Sequence, residues 1–267
     1  MKDKVVVITG ASSGIGRALA KEFASKGACL SLGARRTELL EELQSELPGT
    51  ELLIKKTDVS REDDCRLLIE ETIRRFGRID VLINNAGISM RAIFEDVDLK
   101  VIRQLMDVNF FGTVYCSKYA LPHLLKSKGS LVGVISIAGY VGLPGRTGYS
   151  ASKFAIRGFL DTVRIENLRK GLHVLVAAPG FTASEVRKFA LTNDGSEQGE
   201  SPRNEAKMMS AEECARQIVR AVEKRKRELI LTFTEGKLTV LLGKFFPSLL
   251  DRLTYNHMAK EPNSPLK

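Results

Sequence analysis

Short apolar runs rich in β-branched residues alternate along the chain with amphipathic stretches of helical length. The runs that predict strands are Val5–Thr9, Ala28–Gly33, Leu52–Lys56, Val81–Asn84, Ser130–Ser136, Val174–Ala178 and a short final Leu229–Leu231. The stretches that predict helices are Ile15–Lys26, Glu38–Leu47, Glu62–Phe76, Asp98–Leu125, Ser150–Arg169 and Ala211–Lys224. Strands that are apolar throughout are buried on both faces, which requires helices on both sides of a parallel sheet. We therefore expect an α/β fold with a doubly wound parallel sheet of about seven strands.

The 267 residues contain no break in composition, so the alternation predicts one domain. Residues 1–232 would form its body, and residues 233–267 a helical extension of the same domain. In that extension Leu238, Leu241, Leu242, Phe245, Leu249 and Leu253 recur at helical spacing, and Pro247 should divide them into two short helices. This apolar face could close one side of a substrate pocket, pack in an oligomer or touch a membrane surface.

Charge and cysteine usage exclude several classes of protein. The net charge is +9, but the basic residues are spread along the chain and form no nucleic-acid motif, so we expect no nucleic-acid partner. The four cysteines and three histidines lack metal-ligand spacing, which predicts no metal site. Isolated cysteines, a short first apolar run and the lack of an 18-residue apolar stretch favour a cytoplasmic protein without a spanning helix.

A cluster of glycines follows the first predicted strand and precedes the first predicted helix. The segment reads Thr9-Gly-Ala-Ser-Ser-Gly-Ile-Gly16, in which the glycines permit a tight turn and a close approach of backbone amides to a phosphate. A glycine cluster is weak evidence alone, but at a strand-to-helix turn in a βαβ series it predicts a dinucleotide site. The spacing G-x-x-x-G-x-G differs from the common G-x-G-x-x-G pattern.

This spacing resembles that of the short-chain dehydrogenase/reductase family, and further motifs support the resemblance. They are Asn84-Asn-Ala-Gly87 after the fourth strand, Asn109 in a long helix, Ser136 at the end of the fifth strand, Tyr149-Ser-Ala-Ser-Lys153 at the next helix, and Pro179-Gly180 after the sixth strand. The resemblance extends from about Lys4 to Leu231. It implies a single-domain, Rossmann-type oxidoreductase that transfers a hydride between a nicotinamide cofactor and a carbonyl or alcohol carbon.

The resemblance and the residue chemistry together predict the cofactor site and NADP(H) as the cofactor. An NAD enzyme usually has an acid after the second strand, whereas this chain has Ala34 followed by Arg35 and Arg36. A guanidinium pairs well with the 2′-phosphate of NADP, and we expect Arg35 to bind it and Arg36 to assist. Asp58 would bind the adenine amino group, because Ser60 could cap the following helix instead. The full predicted set is Gly10, Ser12, Ser13, Gly14, Ile15, Gly16, Arg35, Arg36, Asp58, Asn85, Ala86, Gly87, Tyr149, Lys153, Pro179, Gly180, Thr182 and Ser184.

Four residues are predicted to carry the chemistry. Tyr149 and Lys153 are four residues apart, so on a helix they share one face, and a nearby ammonium would lower the pKa of the phenol. By resemblance Tyr149 is the acid and base, Lys153 tunes it and binds the cofactor ribose, Ser136 holds the substrate oxygen, and Asn109 places a water that relays protons. A Tyr-x-x-x-Lys pair alone is more often an ordinary helix pair.

The substrate is predicted only as a class. The segments expected to choose it contain Tyr140, Leu143, Phe181, Phe189 and Leu191, which favour an apolar or amphipathic small molecule such as a steroid, retinoid or lipid-like ketone. Reduction of a 3-oxoacyl thioester is an alternative within the family, and a non-catalytic NADP-binding sensor or scaffold is an alternative of another class. By resemblance we expect a homodimer or homotetramer.

Overall fold

The computed structural model describes residues 1–183, 185–199, 208–261 and 263–266, and a seven-stranded sheet forms its centre. The strands are β1 (Val5–Thr9), β2 (Cys29–Ala34), β3 (Leu52–Lys56), β4 (Val81–Asn84), β5 (Ser130–Val134), β6 (His173–Ala178) and β7 (Glu228–Ile230). Their order across the sheet is β3-β2-β1-β4-β5-β6-β7, and every neighbouring pair is parallel. The predicted Rossmann-type sheet is confirmed.

Helices connect successive strands. Those of the body are α1 (Gly14–Ser25), α2 (Thr37–Ser45), α3 (Glu62–Phe76), α4 (Leu99–Leu105), α5 (Gly112–Ser127), α6 (Thr147–Glu166) and α7 (Ala211–Glu223). One prediction was wrong in detail, because the stretch Asp98–Leu125 is not a single regular helix. A π-helical turn, Met106–Phe111, joins α4 to α5 and contains Asn109. Such turns occur mostly as single insertions in α-helices and often at functional sites.

Both faces of the sheet are covered by apolar side chains from the helices. Successive residues of a strand point to opposite faces, and accordingly Val6 and Ile8 belong to one buried cluster while Val7 belongs to the other. The first cluster includes Phe23 of α1 and side chains of α7, and the second includes Leu160 of α6 and side chains of α3 and α5. This two-sided burial explains why the strands are apolar throughout instead of alternating.

The direction of strand succession reverses between β1 and β4. From β1 the chain runs to β2 and β3 on one side, whereas β4 to β7 lie on the other side. At such a point the connections after two adjacent strands leave in opposite directions, and a crevice opens at the carboxyl ends of the strands. Gly10 follows β1 here and Asn85 follows β4, so the topology brings two separate sequence motifs to one crevice.

Two short helices follow the last strand, as the position of Pro247 predicted. They are α8 (Thr239–Phe245) and α9 (Pro247–Ala259), and Pro247 is the first residue of α9, where its missing N–H removes no helical hydrogen bond. Leu250 is buried in the cluster that contains Val141, and a Cβ added at Gly243 would lie 3.0 Å from Val141 Cγ1. Within the described residues, no helix has both the length and the apolar character needed to cross a membrane.

Candidate active site

The glycine-rich turn after β1 is closed against the turn after β4. Gly10 has a φ of +66°, and a Cβ there would lie 2.8 Å from Ala86 Cα. A Cβ at Gly16 would lie 2.1 Å from Gly10 O, so only glycine permits the first turn of α1 to approach this closely. The turn therefore leads the chain directly into the helix and presents the N-terminus of α1 to the crevice.

Asn85 and Ala86 hold this turn in place. Asn85 Nδ2 donates to Thr9 O at 3.0 Å and to Gly10 O at 3.2 Å. In return, Thr9 Oγ1 accepts from the backbone N–H groups of Asn85 and Ala86, each at 3.1 Å. The side-chain amide thus binds carbonyls at the end of β1, which joins the two motifs across the crevice.

The two arginines after β2 face the same crevice in different ways. Arg36 Nη2 donates to Ser13 Oγ at 3.1 Å, and its guanidinium lies 5.6 Å from the ring centroid of Phe189. Arg35 is exposed and lines both the main crevice and an adjoining recess, in which Lys100 and Arg103 accompany Asp58 and Asp107. The structure thus places both cations beside the glycine-rich turn.

Asp58 lines the crevice, but its carboxylate also makes local hydrogen bonds. Its Oδ1 accepts from Ser60 N at 3.0 Å and from Ser60 Oγ at 2.7 Å. The expectation that Ser60 would cap the following helix and leave Asp58 unengaged was wrong. The residue before α3 is Arg61, and Asp64 Oδ2 accepts from Asp58 N at 2.9 Å. Both Ser60 bonds use the same oxygen of the Asp58 carboxylate.

Tyr149 and Lys153 lie on α6, four residues apart as predicted, and Ser136 faces them from the segment after β5. Lys153 Nζ lies 5.7 Å from the ring centroid of Tyr149, and Ser136 lines the same cavity as these two residues. Ser136 was predicted to end the fifth strand, but β5 ends at Val134. Ser136 instead caps a short 3₁₀ turn, where its Oγ accepts from Ala138 N at 3.2 Å. A cap residue has extended backbone, which turns this hydroxyl out of the sheet.

Asn109 is fully buried and bonds both backbone polar groups of one residue, Ile88. Its Oδ1 accepts from Ile88 N at 2.8 Å, and its Nδ2 donates to Ile88 O at 3.0 Å and to Ser152 Oγ at 2.9 Å. A Cβ added at Gly87 would lie 3.0 Å from Asn109 Oδ1 and 3.4 Å from Lys153 Nζ. Asn109 and Lys153 therefore meet at Gly87, as their predicted roles require.

Burial shifts the pKa values of both central groups. Burial raises the pKa of Tyr149, while the Ser136 hydroxyl and the charges of Arg146 and Arg187 lower it in part. Burial also lowers the pKa of Lys153 to about 8, although its ammonium donates to Val134 O at 3.1 Å. The charged form of each group is costly in this apolar surrounding.

Two buried arginines at this site were not predicted as functional groups. Arg146 Nη1 donates to Ser89 Oγ at 2.8 Å and to Met90 O at 3.3 Å, and Arg187 Nη2 donates to Thr182 O at 2.8 Å. Both guanidiniums line the crevice that contains Tyr149. Arg146 lies three residues before Tyr149, the one signal that could have indicated a shared helix face. Arg187 follows the Pro179-Gly180 motif at no distinctive spacing, so only the fold reveals it.

The segment after β6 closes the crevice from one side. Pro179, Gly180, Phe181 and Thr182 line it, whereas Ser184, also predicted to bind the cofactor, lies outside the described residues. Further along, Leu191 forms a bridge with Met90, and Arg91 N donates to Leu191 O at 2.8 Å. This segment therefore connects to the loop after β4, next to Asn109.

Most of these groups line one cavity of about 440 Å³, whereas Asn109 lies buried behind its wall. Its described lining includes the predicted residues Gly10, Ser12, Ser13, Gly14, Ile15, Gly16, Arg35, Arg36, Asp58, Asn85, Ala86, Gly87, Ser136, Tyr149, Lys153, Pro179, Gly180 and Thr182. The apolar side chains of Leu143, Val186, Phe189 and Leu191 also line it. Such a volume is typical of small-molecule and cofactor sites.

The C-terminal helices do not line this cavity within the part of the chain that the structure describes, where the last lining residue is Glu197. The hypothesis that residues 238–253 close one side of the pocket was therefore wrong. Gly243 and Leu250 lie against Val141 instead. The helices therefore pack on the segment that contains Leu143, without reaching the cavity itself. Among the described residues, no group of three or more His, Cys, Asp or Glu could hold a metal ion.

The chain is similar to several known proteins in sequence and in fold. The family model described as short chain dehydrogenase matches residues 4–194. The mouse dehydrogenase/reductase SDR family member 7B is 36% identical over 99% of this chain and 84% of its own length. The 11-beta-hydroxysteroid dehydrogenase 1A of Arabidopsis thaliana is 38% identical over 94% of this chain and 75% of its own. An alcohol dehydrogenase from the archaeon Thermococcus sibiricus, solved with 5-hydroxy-NADP, aligns with a TM-score of 0.76 at 29% identity, covering 86% of this chain and 96% of its own.

Proposed function

The chain belongs to the short-chain dehydrogenase family and is an oxidoreductase that binds a nicotinamide cofactor, and from this premise we propose that it is an NADP(H)-dependent enzyme for apolar ketones or aldehydes and the matching alcohols. The observation that carries the proposal is the single cavity in which Ser136, Tyr149 and Lys153 meet the glycine-rich turn. A hydroxyl, a phenol and an ammonium beside a dinucleotide cradle are the groups that carbonyl reduction requires.

The residues present fit a dinucleotide. Gly10 and Gly16 leave no room for side chains between the turn and α1, so backbone N–H groups and the helix N-terminus face the crevice and can bind a diphosphate. Asn85 fixes the position of that turn. On this proposal Asp58 accepts from the adenine amino group, and Thr182 binds the nicotinamide carboxamide.

On this proposal, side chains of the protein bind the substrate oxygen and exchange a proton with it. The nicotinamide supplies the hydride in reduction and accepts it in oxidation. In reduction, Tyr149 donates its phenolic proton to the oxygen as negative charge develops, while Ser136 donates a hydrogen bond to the same atom. Lys153, held beside Gly87 and Asn109, can return a proton to Tyr149 through a water. In oxidation, the same groups act in reverse, and the Tyr149 phenolate accepts the alcohol proton.

The NADP preference rests on charge at the end of β2. Ala34 stands where an acid would accept hydrogen bonds from the adenosine ribose, and two guanidiniums follow it. Arg36 already contacts Ser13 in the glycine-rich turn, and Arg35 lies beside Lys100 and Arg103. A 2′-phosphate placed there would meet several cations, whereas the 2′-hydroxyl of NAD would leave them without an anion.

The proposed substrate class rests on the side chains that line the cavity. Leu143, Val186, Phe189 and Leu191 offer apolar contact, and Arg146, Arg187 and Glu197 add polar groups to the same lining, so the cavity suits an apolar molecule that carries a polar oxygen. Similarity to proteins described as hydroxysteroid dehydrogenases supports a steroid-like or other flat apolar alcohol. Both alternatives, the 3-oxoacyl thioester reductase and the non-catalytic sensor, remain for the experiment to exclude.

The test is a panel of ketones and alcohols followed by absorbance of the reduced cofactor, with NADP(H) and NAD(H) compared. We expect turnover of steroid-like substrates with NADPH and weak activity with NADH. Arg35→Ala and Arg36→Ala should each reduce the preference for NADPH by about tenfold, because each removes a charge-assisted hydrogen bond of roughly 1.5 kcal/mol. Arg75→Ala, at the end of α3, serves as the matched control. Equal affinity for both cofactors, or a preference unchanged in both variants, would contradict the proposed cofactor.

Three further expectations about the whole protein stay predictions. They are a homodimer or homotetramer, a cytoplasmic location, and contact of α8 and α9 with a membrane surface. Leu241, Phe245, Phe246, Leu249 and Leu253 are each between 49% and 61% exposed, so an apolar face is available for either kind of contact. Sedimentation at several protein concentrations, with and without lipid vesicles, separates self-association from membrane binding.

A further inference from the structure

Arg146 is a charged residue whose burial the catalytic scheme above does not use. Its relative exposure is 7%, and it lines the cavity beside Tyr149. Transfer of a guanidinium from water into such a site costs free energy, and hydrogen bonds to Ser89 and Met90 are among the contacts that offset this cost. A position with this cost, next to the proton donor, suggests a role for the charge.

The backbone fixes Arg146 relative to Tyr149. Arg146 immediately precedes α6, and its carbonyl accepts from Ser150 N at 2.8 Å, so it begins the helical turn that contains Tyr149. Its own N–H donates to Leu143 O at 3.1 Å, and Ala92 forms a bridge with it. Residues three apart at the start of a helix project from adjacent positions. The guanidinium therefore has a fixed direction relative to the phenol.

The other charged groups around Tyr149 differ from Arg146 in their proton affinity or position. Lys153, on the same helix, has its pKa lowered to about 8, so its charge is partly lost in mildly alkaline solution. Arg187 approaches from the segment after β6, and Glu197 is an acid that lines the same cavity. The side of α4 that packs here is apolar. An arginine stays protonated throughout the working pH range.

We propose that Arg146 is a positioning residue whose permanent charge, aimed by Ser89 and Met90, stabilises the Tyr149 phenolate during turnover. This role rests on the proposed function, in which Tyr149 exchanges a proton with the substrate oxygen. A fixed cation favours the anionic form of a neighbouring group, and the effect grows where water is excluded. The direction agrees with the structure, where the Arg146 charge lowers the pKa of Tyr149 against the effect of burial.

The first test measures the phenolate directly and needs no turnover. The ultraviolet pH titration of each variant is compared with that of the same variant carrying Tyr149→Phe, so the difference reports Tyr149 alone. Arg146→Gln should increase the apparent pKa of Tyr149 by about 1, and Arg146→Lys should restore most of that change. Arg164→Gln, which alters a partly buried arginine on the far part of α6, should leave it unchanged. An unchanged titration in Arg146→Gln, or equal increases in the Gln and Lys variants, would overturn the proposal.

A second pair of variants keeps Arg146 and covers the case in which Arg146→Gln does not fold. Ser89→Asp places a carboxylate against the guanidinium, whereas Ser89→Asn offers a neutral acceptor of nearly the same shape. We expect Ser89→Asp to raise the pKa of Tyr149 relative to Ser89→Asn, because the added anion offsets the Arg146 charge. Equal titrations in the two variants would also overturn the proposal.

Activity provides a separate readout. In alcohol oxidation the acid limb of the kcat profile should move to higher pH in Arg146→Gln, with KM nearly unchanged, because the phenolate is the acting base. If the wild-type enzyme oxidised no alcohol in the panel, the proposed function would fail. The spectroscopic titration would still decide the role of Arg146.

Discussion

The cavity and the C-terminal helices are built in opposite ways. In the cavity, groups distant in sequence are held by hydrogen bonds, as when Asn109 joins Ile88 to Ser152 and Asn85 joins Thr9 to Gly10. On α8 and α9 one face packs on Val141 through Leu250, while the opposite face leaves Phe245 61% exposed. The cavity is held together by hydrogen bonds within the chain, whereas α8 and α9 leave an apolar face exposed to solvent.

The cavity and the two C-terminal helices also differ in how their side chains affect stability and function. Lys153 is buried and has a strongly shifted pKa, so the cavity contains charge at a cost that stability alone would not favour. The exposed leucines and phenylalanines of α8 and α9 cost little in the isolated chain, but they gain free energy only when something covers them. We expect substitutions in the cavity to change chemistry, and substitutions on the exposed face to change association.

The largest expected effect tests the chemical side of the comparison. Tyr149→Phe should lower kcat by about 10³-fold, because the ring still packs but the proton donor is lost. Cofactor affinity, measured by fluorescence titration, should stay within a few-fold. Tyr119→Phe, which removes a surface phenol that donates to Glu62, is the matched control. A Tyr149→Phe enzyme that keeps a tenth or more of its kcat would contradict the assigned role.

The next prediction concerns Lys153, whose replacement should increase stability and abolish turnover. Because burial lowers the pKa of Lys153 to about 8, the folded protein releases a proton that the unfolded chain holds up to a pKa of about 10.4. The burial penalty is therefore full below pH 8 and declines as the pH rises toward 10.4. Lys153→Met should increase the free energy of unfolding at pH 7 by up to about 3 kcal/mol, and this gain should shrink as the pH rises.

Thermal and urea unfolding between pH 7 and pH 10 measure this change, with Lys118→Met on the exposed side of α5 as control. The same Lys153→Met protein should lose turnover and bind the cofactor more weakly. Destabilisation at pH 7, or a gain that grows with pH, would show that the buried ammonium is held favourably.

The two faces of α9 provide a smaller, paired test. Leu250→Ala should cost about 2 kcal/mol in unfolding free energy, because it empties a buried position against Val141. Leu249→Ala, one residue earlier and half exposed, should cost less than about 0.5 kcal/mol. Urea unfolding of both variants in dilute solution measures the contrast. Similar losses would mean that the face carrying Leu249 is already covered, for example by a second copy of the chain.

The smallest effect on the chain itself is expected on the exposed face. The double variant Leu241→Ser and Phe245→Ser should keep kcat for a water-soluble ketone within about twofold, since neither residue lines the cavity. Its sedimentation should become independent of lipid vesicles and of protein concentration, if that face makes the predicted contacts. A marked fall in kcat would indicate that α8 positions the segment carrying Leu143 more strongly than its contacts suggest.

Periodicity and motifs were enough to predict the sheet, because burial on both faces leaves a direct record in sequence. Strands β1, β3 and β4 and helix α3 have the predicted bounds, and the glycine-rich turn, Tyr149 and Lys153 lie together as expected. These features are local or repeat at fixed intervals, so neighbouring residues alone indicate them. The end of β5 was placed two residues late, since Ile135 continues the apolar run and its N–H still donates to Ala177 O on β6, whereas Ser136 begins a 3₁₀ turn.

Only the tertiary structure decided how separate segments combine. The π-helical turn that aims Asn109 at Ile88, the contact of Arg36 with Ser13, and the approach of Arg187 to the cavity all join residues without a shared sequence pattern. The same holds for α8 and α9, whose apolar spacing predicted two helices but not which surface they would support. Sequence periodicity records that a face is buried, whereas the identity of the surface against which it packs depends on the three-dimensional arrangement of the chain.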